Sequence, residues 1–297
     1  MSPNARAAAD MGGLPLPVLT ERAEAGDAES QFALALRHLR GEGVPRDPRQ
    51  ALVWFRRAAT QGHAGAQRQI GNAHARGAAG LAQSWSAAAR WYRMAAENGD
   101  PLAAFNIARL LERGRGVDRD AAEAVRWYRT AAEAGLAKAM TNLGILLYRG
   151  DGAPQDIEEA LRLFLEAAAK GDAIAAYNAG VMTKKGRGTT PDPKRAAALY
   201  RQAAEKDYRD AQWALGRLMA RFARSPEQRA ASLFWFEVAA LRGGKPPTGA
   251  DAKAVAQLRS RLSVAEQQAV RRRARAWRPS GGGRSSGSPE PGSGSPI

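Results

Sequence analysis

The 297-residue chain is predicted to be all-α, a right-handed α-solenoid of about six antiparallel helix pairs with a capping helix before them and a helix pair after them. Three observations predict this. An Ala-Ala pair recurs at Ala58-Ala59, Ala95-Ala96, Ala131-Ala132, Ala167-Ala168, Ala203-Ala204 and Ala239-Ala240, in steps of 37, 36, 36, 36 and 36 residues. A period of this size marks an array of supersecondary units. Within each period the same loop glycines, helix caps and terminal glycines return. The composition, 44% apolar and rich in alanine, suits closely spaced helices, and in a solenoid each unit packs only on its neighbours.

The elements follow in order. Residues 1–13 are expected to be disordered. Residues 14–25 are expected to form an N-terminal capping helix, because in PVLTERAEAG (17–26) Ala23 and Gly26 stand one period before Ala59 and Gly62. Residues 26–245 hold the six repeats, at about 28–64, 65–100, 101–136, 137–172, 173–208 and 209–244. The third shows the logic. Leu102, Phe105, Ala108, Leu110 and Leu111 at helical spacing make an amphipathic first helix, which Gly114 and Gly116 break. Asp120 is placed to accept the free amide hydrogens of the second helix. That helix carries Ala124, Trp127, Tyr128, Ala131 and Ala132 on one face and ends at Gly135, a left-handed cap.

The same parts recur elsewhere. Loop glycines stand at Gly41/Gly43, Gly150/Gly152 and Gly186/Gly188, and second-helix caps at Asp47, Ser84, Asp156 and Asp192. Pro48 and Pro193 take the first helical position. Terminal glycines fall at Gly62, Gly99, Gly171 and Gly243, with Asp207 in that slot once. Ala35, Gly71, Ala108, Gly144, Gly180 and Gly216 form a small-residue column for close helix crossing. The second loop, AHARGAAGLAQSW, is one residue longer. The sixth has lost both loop glycines, and there Ser225-Pro226-Glu227-Gln228 supplies a capping box. Residues 246–277 are expected to be a C-terminal capping pair: 251–262, then 263–277 opened by a Ser263/Glu266 capping box. The Gly/Ser/Pro tail, 278–297, cannot bury a core and is expected to be disordered.

The pattern A-x-x-x-L-G-x-x-Y-x-x-G-x-G-V-x-x-D-x-x-x-A-x-x-W-Y-x-x-A-A-x-x-G resembles the Sel1-like repeat, a branch of the tetratricopeptide superfamily, over about three quarters of the chain. The resemblance implies a non-enzymatic adaptor of signalling, secretion, envelope or quality-control complexes. It also implies a concave groove lined by the first helices that takes a partner peptide or helix.

Within that frame two columns are candidate protein-binding residues. Asn106, Asn142 and Asn178 repeat at 36 residues in mid-helix, where a ladder of side-chain amides would bond the backbone of an extended peptide. The alternative is bonding within the scaffold. Phe105 and Tyr177 precede them as aromatic contacts, and Arg109 and Arg217 follow one turn later. The second column, Arg40, Arg76, Arg113, Arg149, Lys185 and Arg221, stands in the last turn of each first helix. Cations are favourable there by about 0.3–1 kcal/mol each whatever else they do, yet their summed field would select an acidic partner segment.

Other chemistry finds little support. The Trp/Tyr pairs, as in WYRMAAENGD (91–100), recur beside Ala-Ala and are read as filling the groove between successive helix pairs, with Glu97 and Asp100 solvated. Gly283-Arg284-Ser285-Ser286-Gly287 matches the nucleophile-elbow spacing but lies in the tail, without the strand and helix that strain the serine. His38, His63 and His74 lack a third ligand, so no metal site is expected. No cofactor motif appears, and no catalytic residue is assigned. Without cysteine the chain cannot resemble the disulfide-stapled relatives linked to β-lactam hydrolysis.

Charge supplies the other functional reading. Of the net charge of +16, +8 falls in the last 56 residues, including Arg271, Arg272, Arg273 and Arg275. Nucleic acid or an anionic surface is therefore the alternative partner. No signal-peptide run and no stretch of about 18 apolar residues is present, so a soluble cytoplasmic protein is expected.

Overall fold

The computed structural model describes residues 13–243 and 247–280. Among them are fifteen helices and no strand. They fall into two compact units, Met1–Leu136 and Ala137–Ile297.

The first unit contains α1 (Leu16–Glu24), α2 (Ala28–Arg40), α3 (Pro48–Thr60), α4 (Ala64–Arg76), α5 (Trp85–Glu97), α6 (Pro101–Arg113) and α7 (Ala121–Glu133). The second contains α8 (Ala137–Arg149), α9 (Ile157–Ala169), α10 (Ala173–Lys185), α11 (Pro193–Glu205), α12 (Arg209–Phe222), α13 (Pro226–Gly243), α14 (Gly249–Ser260) and α15 (Val264–Ala276). In each unit the helices pack on their sequence neighbours, as an α-solenoid requires.

Helix boundaries follow local chemistry. The side chains of Asp47, Ser84, Asp120, Asp156 and Asp192 each accept a hydrogen bond from a backbone N–H in the first turn of α3, α5, α7, α9 and α11. First helices have caps of their own at Asp27, His63, Asp100 and Asp172. Asp100 is thus not solvated. It caps α6 and pairs with Arg68 at 2.8 Å, and both side chains are largely buried. Glu97 is exposed.

The aromatic column faces more than one helix. The second member of each pair (Phe55, Tyr92, Tyr128, Phe164, Tyr200, Phe236) is buried and meets the first helix of its own repeat, and Phe55 also lines a small cavity with Asn72 and Ala73 of the next repeat. The small-residue column makes this close approach necessary. A Cβ on Gly71 would fall 2.7 Å from the Tyr92 ring, and one on Gly180 would fall 2.7 Å from that of Tyr200. Of the first members, Trp91 packs on the core cluster that holds Phe32, Trp54, Phe55 and Ile70. Buried glutamines join repeats as well, since Gln31, Gln67 and Gln212 donate to the carbonyls of Ala23, Ala59 and Ala204 at the end of the preceding helix.

Gly116 lies so close to the start of α5 that a Cβ there would sit 2.4 Å from the Trp85 carbonyl carbon. Gly188 lies against the start of α9, where its Cβ would sit 3.0 Å from the Ile157 oxygen. In these two repeats the second loop glycine therefore seals its loop onto the first turn of the preceding repeat's second helix.

Candidate functional site

The candidate residues lie on the first helices, and each unit presents its own set. In the first unit α6 carries Phe105, Asn106 and Arg109, all half-buried. The Arg109 guanidinium lies 5.7 Å from the Phe105 ring centroid, and that ring lies 5.9 Å from the buried Tyr128. Phe105 and Arg109 thus form one patch, one turn apart, backed by the second helix. Tyr128 is fixed from the same side, because its hydroxyl donates to Glu112 at 2.6 Å.

In the second unit Asn142 on α8 is half-buried, whereas Asn178 on α10 is 0% exposed. The reason is the packing of α10, which buries every position from Ala175 to Thr183 except Tyr177. An amide so enclosed cannot reach a partner backbone, so the three asparagines do not present alike. Tyr177 belongs to an aromatic group with Tyr200 and Tyr208, at 5.7 and 5.4 Å. Burial, then the charge of Asp210, pushes its phenol up. Arg217 is committed to the Asp251 carboxylate of α14 at 2.8 Å, a bond within the scaffold.

The basic column stands where helix chemistry places it. Arg40, Arg76, Arg113, Arg149 and Lys185 are the last residues of α2, α4, α6, α8 and α10, and Arg221 is the penultimate residue of α12. All are exposed except the half-buried Arg113. Around Lys184 the charges are crowded. Burial, then the neighbouring Arg217, Lys185 and Arg221, pushes its amine down.

Residues outside the two columns have structural partners. His63 caps α4 through Nδ1, stacks on Phe32 at 4.4 Å and places Nε2 3.3 Å from Glu29. Burial, then the charges of Arg56 and Arg90, holds the His74 imidazole below its usual value. Among the described residues no three His, Asp or Glu side chains are grouped to hold a metal. Of the terminal arginines, Arg271 approaches Glu237 at 3.7 Å and Arg273 lies over Phe234 at 5.5 Å. Arg272 and Arg275 are exposed. Ser285 and most of the tail lie outside the described residues.

Comparison with known proteins follows from this geometry. The Sel1 repeat model matches six times, at 28–63, 64–100, 101–136, 137–172, 173–208 and 209–244. Comparison with curated proteins finds no match. Two bacterial crystal structures are similar in fold. One is c5321, a protective antigen of uropathogenic Escherichia coli strains with an SLR fold, at TM-score 0.63 and 27% identity over 87% of this chain. The chain spans 63% of that protein's length. The other, a Sel1 repeat protein from Oxalobacter formigenes, matches at TM-score 0.62 and 28% identity, covering 72% of this chain and 85% of its own.

Proposed function

From the membership of this chain in the Sel1 repeat family, whose fold commonly serves protein-interaction scaffolds and is generally non-catalytic, we propose that it is a non-enzymatic adaptor holding an acidic segment of a protein partner on its first helices. The observation that carries this reading is the register of Arg40, Arg76, Arg113, Arg149, Lys185 and Arg221, one cation at the end of each first helix. Helix chemistry explains each placement, but the repetition also gives every repeat a positive corner. A like-signed surface steers acidic partners and repels basic ones. Phe105 with Arg109 in the first unit, and Asn142 in the second, add an aromatic, a cationic and an amide contact beside those corners.

The test is a pull-down with the intact chain against a variant carrying R40E, R76E, R149E and K185E, with recovered proteins identified by mass spectrometry. Partners rich in Asp and Glu should be retained by the intact chain and lost from the variant. Equal recovery would rule the charge column out as a binding surface. In a parallel comparison, N106A with N142A should lower recovery, while N178A should not.

A second reading, binding to nucleic acid, rests on the +8 of the last 56 residues and the exposure of Arg272 and Arg275. It requires affinity for nonspecific duplex that falls steeply with salt. No binding near physiological salt would end it.

A further inference from the structure

The sixth repeat keeps the period but not the loop. One period after Gly186 and Gly188 the chain has Phe222 and Arg224. Gly186 ends α10 at φ +71, a conformation that costs a residue with a side chain about 1–2 kcal/mol. Phe222 does not adopt it. The helix runs through Phe222 and leaves in an extended turn at Ala223 (φ −69, ψ 114). Ser225 and Gln228 then start α13 early: Ser225 Oγ accepts from the Gln228 N–H at 3.3 Å, and Gln228 Oε1 accepts from the Ser225 N–H at 3.2 Å. Ten successive helices, α2 to α11, have 13 residues each, whereas α12 has 14 and α13 has 18. The seven-residue connection at 186–192 has become three residues, 223–225.

The residues wound into helix no longer cover the preceding repeat. Where Gly116 seals the start of α5 and Gly188 that of α9, the start of α11 has no loop glycine against it among the described residues. A cavity of about 510 Å³ opens there, walled by Leu218, Met219, Phe222 and Ala223 on one side and Pro193 and Ala197 on the other. Its size falls within the range of small-ligand and side-chain pockets. The second repeat shows that irregularity alone does not open it. That loop is also aberrant, yet it still covers Pro48 and Leu52 and leaves only about 80 Å³.

The cavity is apolar inside and positive outside. Phe222 is 52% exposed, one of few large apolar side chains so displayed. Lys194 lines its rim, the Arg221 guanidinium lies 5.7 Å from the Phe222 ring centroid, and Arg195 and Arg224, next in sequence to rim residues, are exposed. The two neighbouring carboxylates are engaged at helix starts: Asp192 accepts from the Arg195 N–H at 2.9 Å, and a hydrogen bond from Ser225 holds the Glu227 carboxyl below its usual value.

We propose that this open loop slot in the sixth repeat is a docking pocket for a protein partner, taking a bulky apolar side chain of an otherwise acidic segment. The apolar wall supplies the anchor, and the rim cations select the flanking carboxylates. The pocket stands apart from the first-helix reading, since it needs neither the Asn column nor the first-helix cations Arg40, Arg76, Arg113, Arg149 and Lys185.

The test is fluorescence anisotropy with a fluorescein-labelled peptide, EEDELFEDEE, on the full chain at physiological ionic strength. Micromolar binding is expected. Replacing the peptide's Leu-Phe by Ser-Ser should weaken it by about tenfold or more, the usual effect of removing a buried apolar anchor. On the protein, F222S should weaken binding by about tenfold, and the surface change K194E by a smaller factor. A double variant, F222G with R224G, restores the glycine pair, closes the slot and should abolish binding while circular dichroism shows native helicity. Absent binding to the intact chain, or equal binding by F222S, K194E and the double variant, would overturn the proposal. So would a concentration-dependent dimer in sedimentation that F222S dissolves, because the occupant would then be a second copy of this chain.

Discussion

The fifth and sixth repeats are built from the same number of residues, and their loops part at the two glycine positions. In the fifth, Gly186 permits the left-handed turn and Gly188 permits contact with the start of α9. In the sixth, Phe222 and Arg224 permit neither, and the residues they leave over are taken up as helix. The change converts a sealed edge into an open apolar slot. A loop in this array is therefore both a connection and a cover for its neighbour. A glycine-to-larger exchange exposes surface on a different repeat from the one that carries it.

That comparison predicts a graded set of effects. The largest is shared by both repeats: Y200A and F236A should each cost about 3–5 kcal/mol, as truncation of buried aromatics does. Both rings are almost fully buried against glycine. If only one proved costly in denaturant unfolding, the difference between the repeats would not be confined to the loop. Next are changes that import the sixth repeat's residue into sealed loops. G116R and G188R should each cost about 1–3 kcal/mol through overpacking alone, with a further left-handed penalty, and G116R should be the worse because its Cβ approach is the closer. R224A, by contrast, should change stability by less than about 0.5 kcal/mol, as exposed substitutions do. Equal effects at 188 and 224 would dissolve the comparison.

Smaller still are the caps. D192A and S225A should each cost about 1 kcal/mol, because both side chains accept a bond from the first turn. The smallest effect is one of pH, in the first unit. Burial raises the Glu123 carboxyl, but hydrogen bonds from Arg93 and Trp127 outweigh it and hold the group below its usual value of 4.5. A depressed carboxylate stabilises fully above its unfolded value and loses that contribution as pH falls through the folded one. Amide protection across α5 and α7, relative to intrinsic exchange at each pH, should therefore fall below about pH 4.5, and E123Q should flatten that dependence.

Much of this was legible in the sequence because it is local. A period, a glycine that must take positive φ and an Asp before a helix are each decided within a few residues, and Asp47, Asp120 and Gly186 behave as read. What was not legible depends on distant partners. Asp100 reads as a solvated acid until α4 brings Arg68 to it across 32 residues. Asn178 reads as a repeat of Asn106 until α10 is buried on nearly every side. Tyr92 and Tyr200 read as inter-repeat packing, and only the helix crossing within their own repeat shows their rings seated on Gly71 and Gly180. The loss of glycine at 222 and 224 was visible, but the slot was not, because its other wall belongs to α11.

The most direct test of where a partner is held is photo-crosslinking of the acidic peptide EEDELFEDEE, with a photo-reactive leucine at its Leu, to the full chain. Crosslinks read by mass spectrometry should concentrate on residues 192–197 and 218–223, with few on the glycine-sealed loops at 114–120 and 186–190. Crosslinks spread evenly over all of these loops would contradict the account.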